Sequence, residues 1–182
     1  MKKVFSTCLI LFVLFLSKDA YASSIQETPV DFELMETQLL EKVREDFPHA
    51  QFVKDSEAFG PISTFGPAPP LSFLSVYAAY SEKHPDFEYF DEFQFRSAAD
   101  HGGAYMHVVT AEIGYGHLRQ ATMEGTRLQS IHSQHIDLTG DNIIDGWFYW
   151  WDASGFEEGQ FQFQNRSTNH PWNLMSDFIF IQ

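Results

Sequence analysis

Five consecutive aromatic residues, Trp147-Phe148-Tyr149-Trp150-Trp151, leave no polar face on the segment that carries them. In a strand, successive side chains point to opposite faces, so Trp147, Tyr149 and Trp151 share one side while Phe148 and Trp150 share the other. A strand with rings on both sides fits the centre of a sheet that is covered above and below. Covering layers need chain, and 182 residues suffice for one core without covalent staples. Rings displayed on an antiparallel sheet also suit stacking against sugars, which makes a glycan the alternative ligand.

Several neighbouring segments supply candidate strands. Gln160-Phe161-Gln162-Phe163-Gln164 alternates phenylalanine with glutamine, as a half-buried strand does. Tyr105–Ile113 is rich in β-branched residues and ends at Gly114 and Gly116. Asp177–Ile181 reads as a final strand, Leu118–Met123 and Arg127–His132 as weaker ones, and Phe87–Arg96 as an imperfect alternation.

Helical periodicity is confined to the N-terminal half. Phe32, Met35, Leu39, Val43 and Phe47 recur at three- and four-residue spacing after the cap Thr28-Pro29, which predicts a helix over about 29–47, ending before Pro48. Phe73, Val76, Tyr77 and Tyr80 predict a second helix over about 71–84, closed by Lys83, His84 and Pro85. Glycine and proline between about 59 and 70 mark an irregular connection. The expected fold is α+β, a single domain with two N-terminal helices packed on a largely antiparallel sheet spanning about 86–182.

The first 22 residues have the order of a cleavable signal peptide: Lys2 and Lys3, the apolar run Cys8–Leu16, then Ala20-Tyr21-Ala22. The apolar run is too short to span a bilayer, so a periplasmic or secreted domain over 23–182, not an integral membrane protein, is expected. Cys8 is the one cysteine and leaves with that segment, which removes disulfide, zinc-thiolate and cysteine-nucleophile chemistry. A net charge of −14 disfavours nucleic acid and anionic membrane surfaces as partners.

Oxygen-bearing side chains recur through Asp137, Thr139, Asp141 and Asp145, with the Ile143 carbonyl as a further candidate. Every-second-residue spacing lets a coiled loop turn oxygens inward toward a hard cation that takes six to eight of them. The nine-residue pattern, with Gly140 matching and Asn142 where glycine is usual, resembles the short DxxGDxxxD calcium loops of FG-GAP and VCBS-type exported bacterial proteins. That resemblance implies structural calcium held by Asp137, Thr139, Asp141, Ile143 and Asp145, and a strand directly after the loop; Asn142 tolerates the left-handed turn the pattern needs.

Catalytic patterns are weak by comparison. His132 and His135 stand three apart and would point to opposite faces of a strand, and no HExxH is present alongside His101, His107 and His117. Ser154 and Ser167 lack a nucleophile-elbow context, while Glu112 with His107, or Glu157 with Glu158, are pairs any acidic protein offers. The sequence thus points to an exported, non-enzymatic protein braced by calcium, with an exported carbohydrate-binding module or polysaccharide hydrolase as the alternative.

Overall fold

The aromatic segment forms β8 (Gly146–Asp152), third in a six-stranded antiparallel sheet. The computed structural model describes residues 31–53 and 68–182; the expected signal peptide, the expected Thr28-Pro29 cap and most of the glycine- and proline-rich connection lie outside them. The other strands of this sheet are β1 (Gln51–Val53), β2 (Phe73–Ser81), β3 (Glu88–Tyr89), β4 (Met106–Ile113) and β7 (Gln129–Asp137). Their order is β1-β7-β8-β4-β2-β3. A second antiparallel sheet, ordered β10-β9-β5-β6, uses β5 (Gln120–Met123), β6 (Thr126–Arg127), β9 (Gly159–Arg166) and β10 (Leu174–Ile181). Phe32–Gln182 form one compact unit.

The two faces of β8 are covered by different layers. Trp151 packs with Val76, Val108, Phe161, Phe163 and Ile179 in the core between the sheets, and its Nε1 donates to Thr110 Oγ1 at 2.8 Å. Phe161 and Phe163 enter that core while Gln162 faces solvent, as the alternation on β9 requires. On the opposite face lies α1 (Phe32–Arg44). Phe32 meets Trp150 edge-on at 6.4 Å and the His132 ring at 4.5 Å, and His132 is 2.6 Å from Glu36. The stripe predicted for this helix buries Leu39 and Val43, whereas Phe47 falls beyond the last turn and is exposed.

One predicted element is corrected. Residues 73–81 form the strand β2, not a second helix, so the fold has one short helix and two antiparallel sheets among the described residues. The cause is a β-bulge between Val76 and Ala78, which inserts one residue and converts a period of two into an apparent spacing of three and four. Leu74, Val76 and Ala79 line the inter-sheet core, and Tyr80 pairs with His107 on the other face. The Val76 N–H released near the bulge donates to Asp177 Oδ2 on β10 at 2.7 Å, tying the sheets together. Phe87–Arg96 contributes only β3 and is otherwise turn and irregular chain.

Three of the four sheet edges are short: β1, β3 and β6 have two or three residues each. The fourth, β10, has eight. Its end is flanked by Phe95–Ser97, where Phe180 N donates to Phe95 O at 3.0 Å and Ser97 N donates to Phe180 O at 2.8 Å. Among the described residues no helix is long and apolar enough to cross a membrane.

Leu39 is 0% and Leu34 55% exposed on the same helix. Leu39→Ala is expected to lower unfolding free energy by about 2–5 kcal/mol, and Leu34→Ala by no more than about 0.5 kcal/mol. Urea denaturation checks both, and equal midpoints would show that α1 does not pack on the sheet.

Candidate functional site

Three features carry concentrated polar or cavity chemistry: the acidic loop after β7, a buried carboxylate between the sheets, and a cavity beside the end of α1. The loop begins where β7 ends, and Asp137 is buried there. Its Oδ1 accepts from Thr139 N at 2.9 Å, Gly140 N at 2.7 Å and Thr139 Oγ1 at 3.2 Å; Oδ2 accepts from Asn142 N at 2.6 Å and Gln51 Nε2 at 2.9 Å. Burial acts to raise this carboxyl, but Gln51 and the loop N–H groups outweigh it and hold Asp137 below the ordinary aspartate range. Asp145 Oδ2 accepts from Leu138 N at 2.7 Å, exposed Asp141 accepts from Ile143 N at 2.9 Å, and the Ile143 side chain is exposed. Gly140 and Asn142 both take left-handed backbone, at φ 80° and 63°. The loop therefore winds around the Asp137 carboxylate, with Asp141 and the Ile143 side chain left outside. Among the described residues no group of three or more His, Cys, Asp and Glu side chains is arranged to hold a metal.

Glu112 on β4 is 0% exposed and faces the second sheet. Its Oε1 accepts from Arg119 Nε at 2.7 Å and lies 2.5 Å from a second guanidinium nitrogen; its Oε2 accepts from Asn165 Nδ2 at 2.7 Å. Burial pushes the Glu112 carboxyl up, and Arg119 and Asn165 pull it part of the way back. Asn165 completes the bridge by accepting from Leu118 N, and it lies so close to Gly116 that a Cβ there would stand 2.0 Å from its amide nitrogen. The Arg119 guanidinium in turn lies over the rings of Trp147 and Tyr149, at 5.3 and 5.1 Å. Trp150 and Trp151 are buried, and the half-buried Trp147 and Tyr149 thus carry a cation of the chain on the rings that a sugar would need.

The remaining polar residues singled out in the sequence are dispersed. His132 pairs opposite Trp150 and His135 opposite Trp147, so the two point to opposite faces, as a spacing of three dictates. His101 is buried 2.9 Å from Glu88, far along the sheet from both, and burial holds it below the ordinary histidine value. His107 faces Tyr80 and Tyr105 on the side of β4 opposite Glu112. Ser154 Oγ accepts from Met106 N, Ser167 Oγ accepts from Leu71 N and donates to Asn169 O, and Glu157 pairs with Lys83 at 2.8 Å.

The cavity was not foreseen. It has a volume of about 470 Å³, is open on one side, and is lined chiefly by Val43, Phe47, Phe73, Tyr77, Ile136 and Phe148. These come from α1 and the turn after it, β2, β7 and β8, which meet only in the folded chain. Asp46 stands in the lining, and among the described residues no Lys or Arg does. Tyr77 is pushed up to about 12 by burial, with the Asp46 and Glu45 carboxylates adding to the shift.

A carboxyl held low in the fold stabilises it above the ordinary pKa and ceases to do so as pH falls through the folded value. The contribution of Asp137 is therefore expected to fade from about pH 3.8 downward. Asp137→Asn is expected to cost about 1–3 kcal/mol at neutral pH, since the amide presents an N–H₂ to loop donors, and to flatten the acid limb of a stability-versus-pH curve. Melting curves between about pH 3 and pH 7 test this; superimposed profiles for mutant and wild type would contradict it.

No curated protein matches the chain. A family model described as a domain of unknown function matches residues 66–181, which take in β2 through β10, the whole of the second sheet and all of the first but β1. The chain belongs to that family, DUF4879.

Proposed function

We propose that this chain is an exported, non-enzymatic binding protein whose ligand, a small apolar molecule, enters the cavity between the end of α1 and the six-stranded sheet. The observation that carries this reading is the cavity itself. Protein interiors rarely leave voids larger than a water molecule, and about 470 Å³ lies within the range of ligand sites. Its walls are aromatic and aliphatic side chains fixed by strands on one side and by the turn after the helix on the other. The two acidic residues in the lining differ in availability: the Glu112 carboxylate is committed to Arg119 and Asn165 on the other face, which leaves Asp46. Such a lining favours binding over acid–base chemistry. Export rests on the pattern of residues 1–22.

The neutral fluorophore N-phenyl-1-naphthylamine is the probe. Saturable fluorescence enhancement with one site per chain is expected, and Ala111→Leu, which adds volume inside the cavity wall, is expected to weaken it at least about fivefold, or roughly 1 kcal/mol. No saturable signal from a folded wild type would overturn the reading.

Calcium at Asp137, Thr139, Asp141, Ile143 and Asp145 is a second proposal, favoured by the left-handed backbone at Gly140 and Asn142 that winds the loop. The five donors already on Asp137 leave the ion to the exposed side of the loop, so the affinity expected is at the weak end for extracellular modules, about 10⁻³ M. At ~10 mM calcium the gain is then about 1.4 kcal/mol, worth roughly 3–5 °C in melting temperature. An unmoved transition with calcium, and no fall with chelator, would remove calcium from this protein.

A further inference from the structure

From the charges at the cavity mouth we infer that the ligand is an amphipathic cation, an apolar body carrying one positive charge that faces Asp46. The inference rests on the cavity being the binding site.

Several observations converge on that sign. Among the described residues no Lys or Arg lines the cavity, and Asp46 is the acidic lining residue whose carboxylate is not taken up inside the fold. Glu45 precedes it, and both carboxylates lie near enough to Tyr77, in the cavity wall, to act on its phenol. Among the described residues two cations stand on this turn: Arg44, whose Nε donates to Ala50 O at 2.8 Å, and Lys42, which pairs with Glu45 at 2.5 Å and sits 5.9 Å from the centre of the Tyr89 ring. Lys42 is drawn to Glu45 and Arg44 to the Ala50 carbonyl, and neither lines the cavity, which leaves the Asp46 carboxylate as the charge that faces it. The backbone contributes in the same direction. α1 ends at Arg44, and Val43 in its last turn and Phe47 just after it belong to the cavity wall, so the negative end of the helix dipole lies beside the cavity. Its last turn is partly closed by Asp46 N and Phe47 N donating to Val43 O at 3.2 and 3.0 Å, which fixes the Asp46 backbone beside the opening.

An ammonium at this position gains a carboxylate and aromatic faces at once. Tyr77 meets Phe148 at 5.3 Å and Tyr89 at 5.8 Å, so a cation at the rim approaches more than one ring. The apolar remainder displaces poorly held water from the interior of the cavity. An anion of the same shape meets the same walls and the wrong charge.

Three probes of matched shape separate the possibilities: 4-phenylbutylamine, 4-phenylbutanol and 4-phenylbutyrate, titrated by calorimetry into the full mature chain at low ionic strength. The amine is expected to bind about five- to tenfold more tightly than the alcohol and the carboxylate most weakly, with the preference shrinking as salt is raised. Asp46→Asn is expected to abolish the preference for the amine while leaving the alcohol unchanged. Asp46 is exposed, so that variant keeps the fold; Glu45→Gln, which frees Lys42, is expected to weaken the amine by about twofold, less than Asp46→Asn does, and a larger loss than that of Asp46→Asn would overturn the assignment to Asp46. Equal binding of amine and alcohol to the wild type would overturn the charge assignment and leave the cavity as an apolar site. A folded protein that binds none of the three would overturn both.

Discussion

Trp150 and Trp151 are neighbours on one strand and must point in opposite directions, yet both are withdrawn from water. That single requirement produces the layered build of the molecule. Burying an indole removes a large apolar area from solvent and stabilises the fold only if atoms are present to receive it. On one side the four-stranded sheet supplies Phe161, Phe163 and Ile179; on the other α1 supplies Phe32 and Leu39. Neither layer has enough apolar surface elsewhere to stand alone, so the helix and the small sheet are held by the same strand from opposite faces.

The acidity of the chain is accommodated by a repeated device. Asp137, Glu88 and Glu112 are drawn into the fold, and each is met by several donors. For Asp137 and Glu88 the donors include backbone N–H groups of adjacent loops, so the carboxylate fixes a turn as it is satisfied. Glu112 differs, because its partners Arg119 and Asn165 come from the other sheet side and clamp the layers together. Breaking such a buried pair costs far more than forming it contributes, which makes it a device of registry more than of stability.

How far this was legible in the sequence follows from the range of the interactions. β8, β9, β4 and α1 announce themselves through local period, and their burial follows the pattern closely. β2 was misread because one inserted residue at the bulge shifts the phase of the alternation, and a window of eight residues then fits a helix as well as a strand. The loop at Asp137–Asp145 showed its turn through Gly140 and Asn142, since left-handed backbone has a compositional signature. The cavity has none: Val43, Tyr77, Ile136 and Phe148 read locally as core residues, and only the placement of α1 over the sheet leaves space between them. The Glu112 clamp was equally hidden, because Asn165 lies far along the chain and Arg119 looks like any solvated arginine.

The uneven lengths of the edge strands govern how the protein meets copies of itself. Unpaired main chain at a sheet edge is a template for another strand, and β3 and β6 offer too few residues for lasting pairing. On β10 the stretch around Phe180 is already engaged by Phe95 and Ser97. On this strand intermolecular addition, the first step toward aggregation, is thereby confined to Leu174–Asp177, and there the Asp177 carboxylate turned inward to Val76 anchors the edge to its own core rather than to a stranger's.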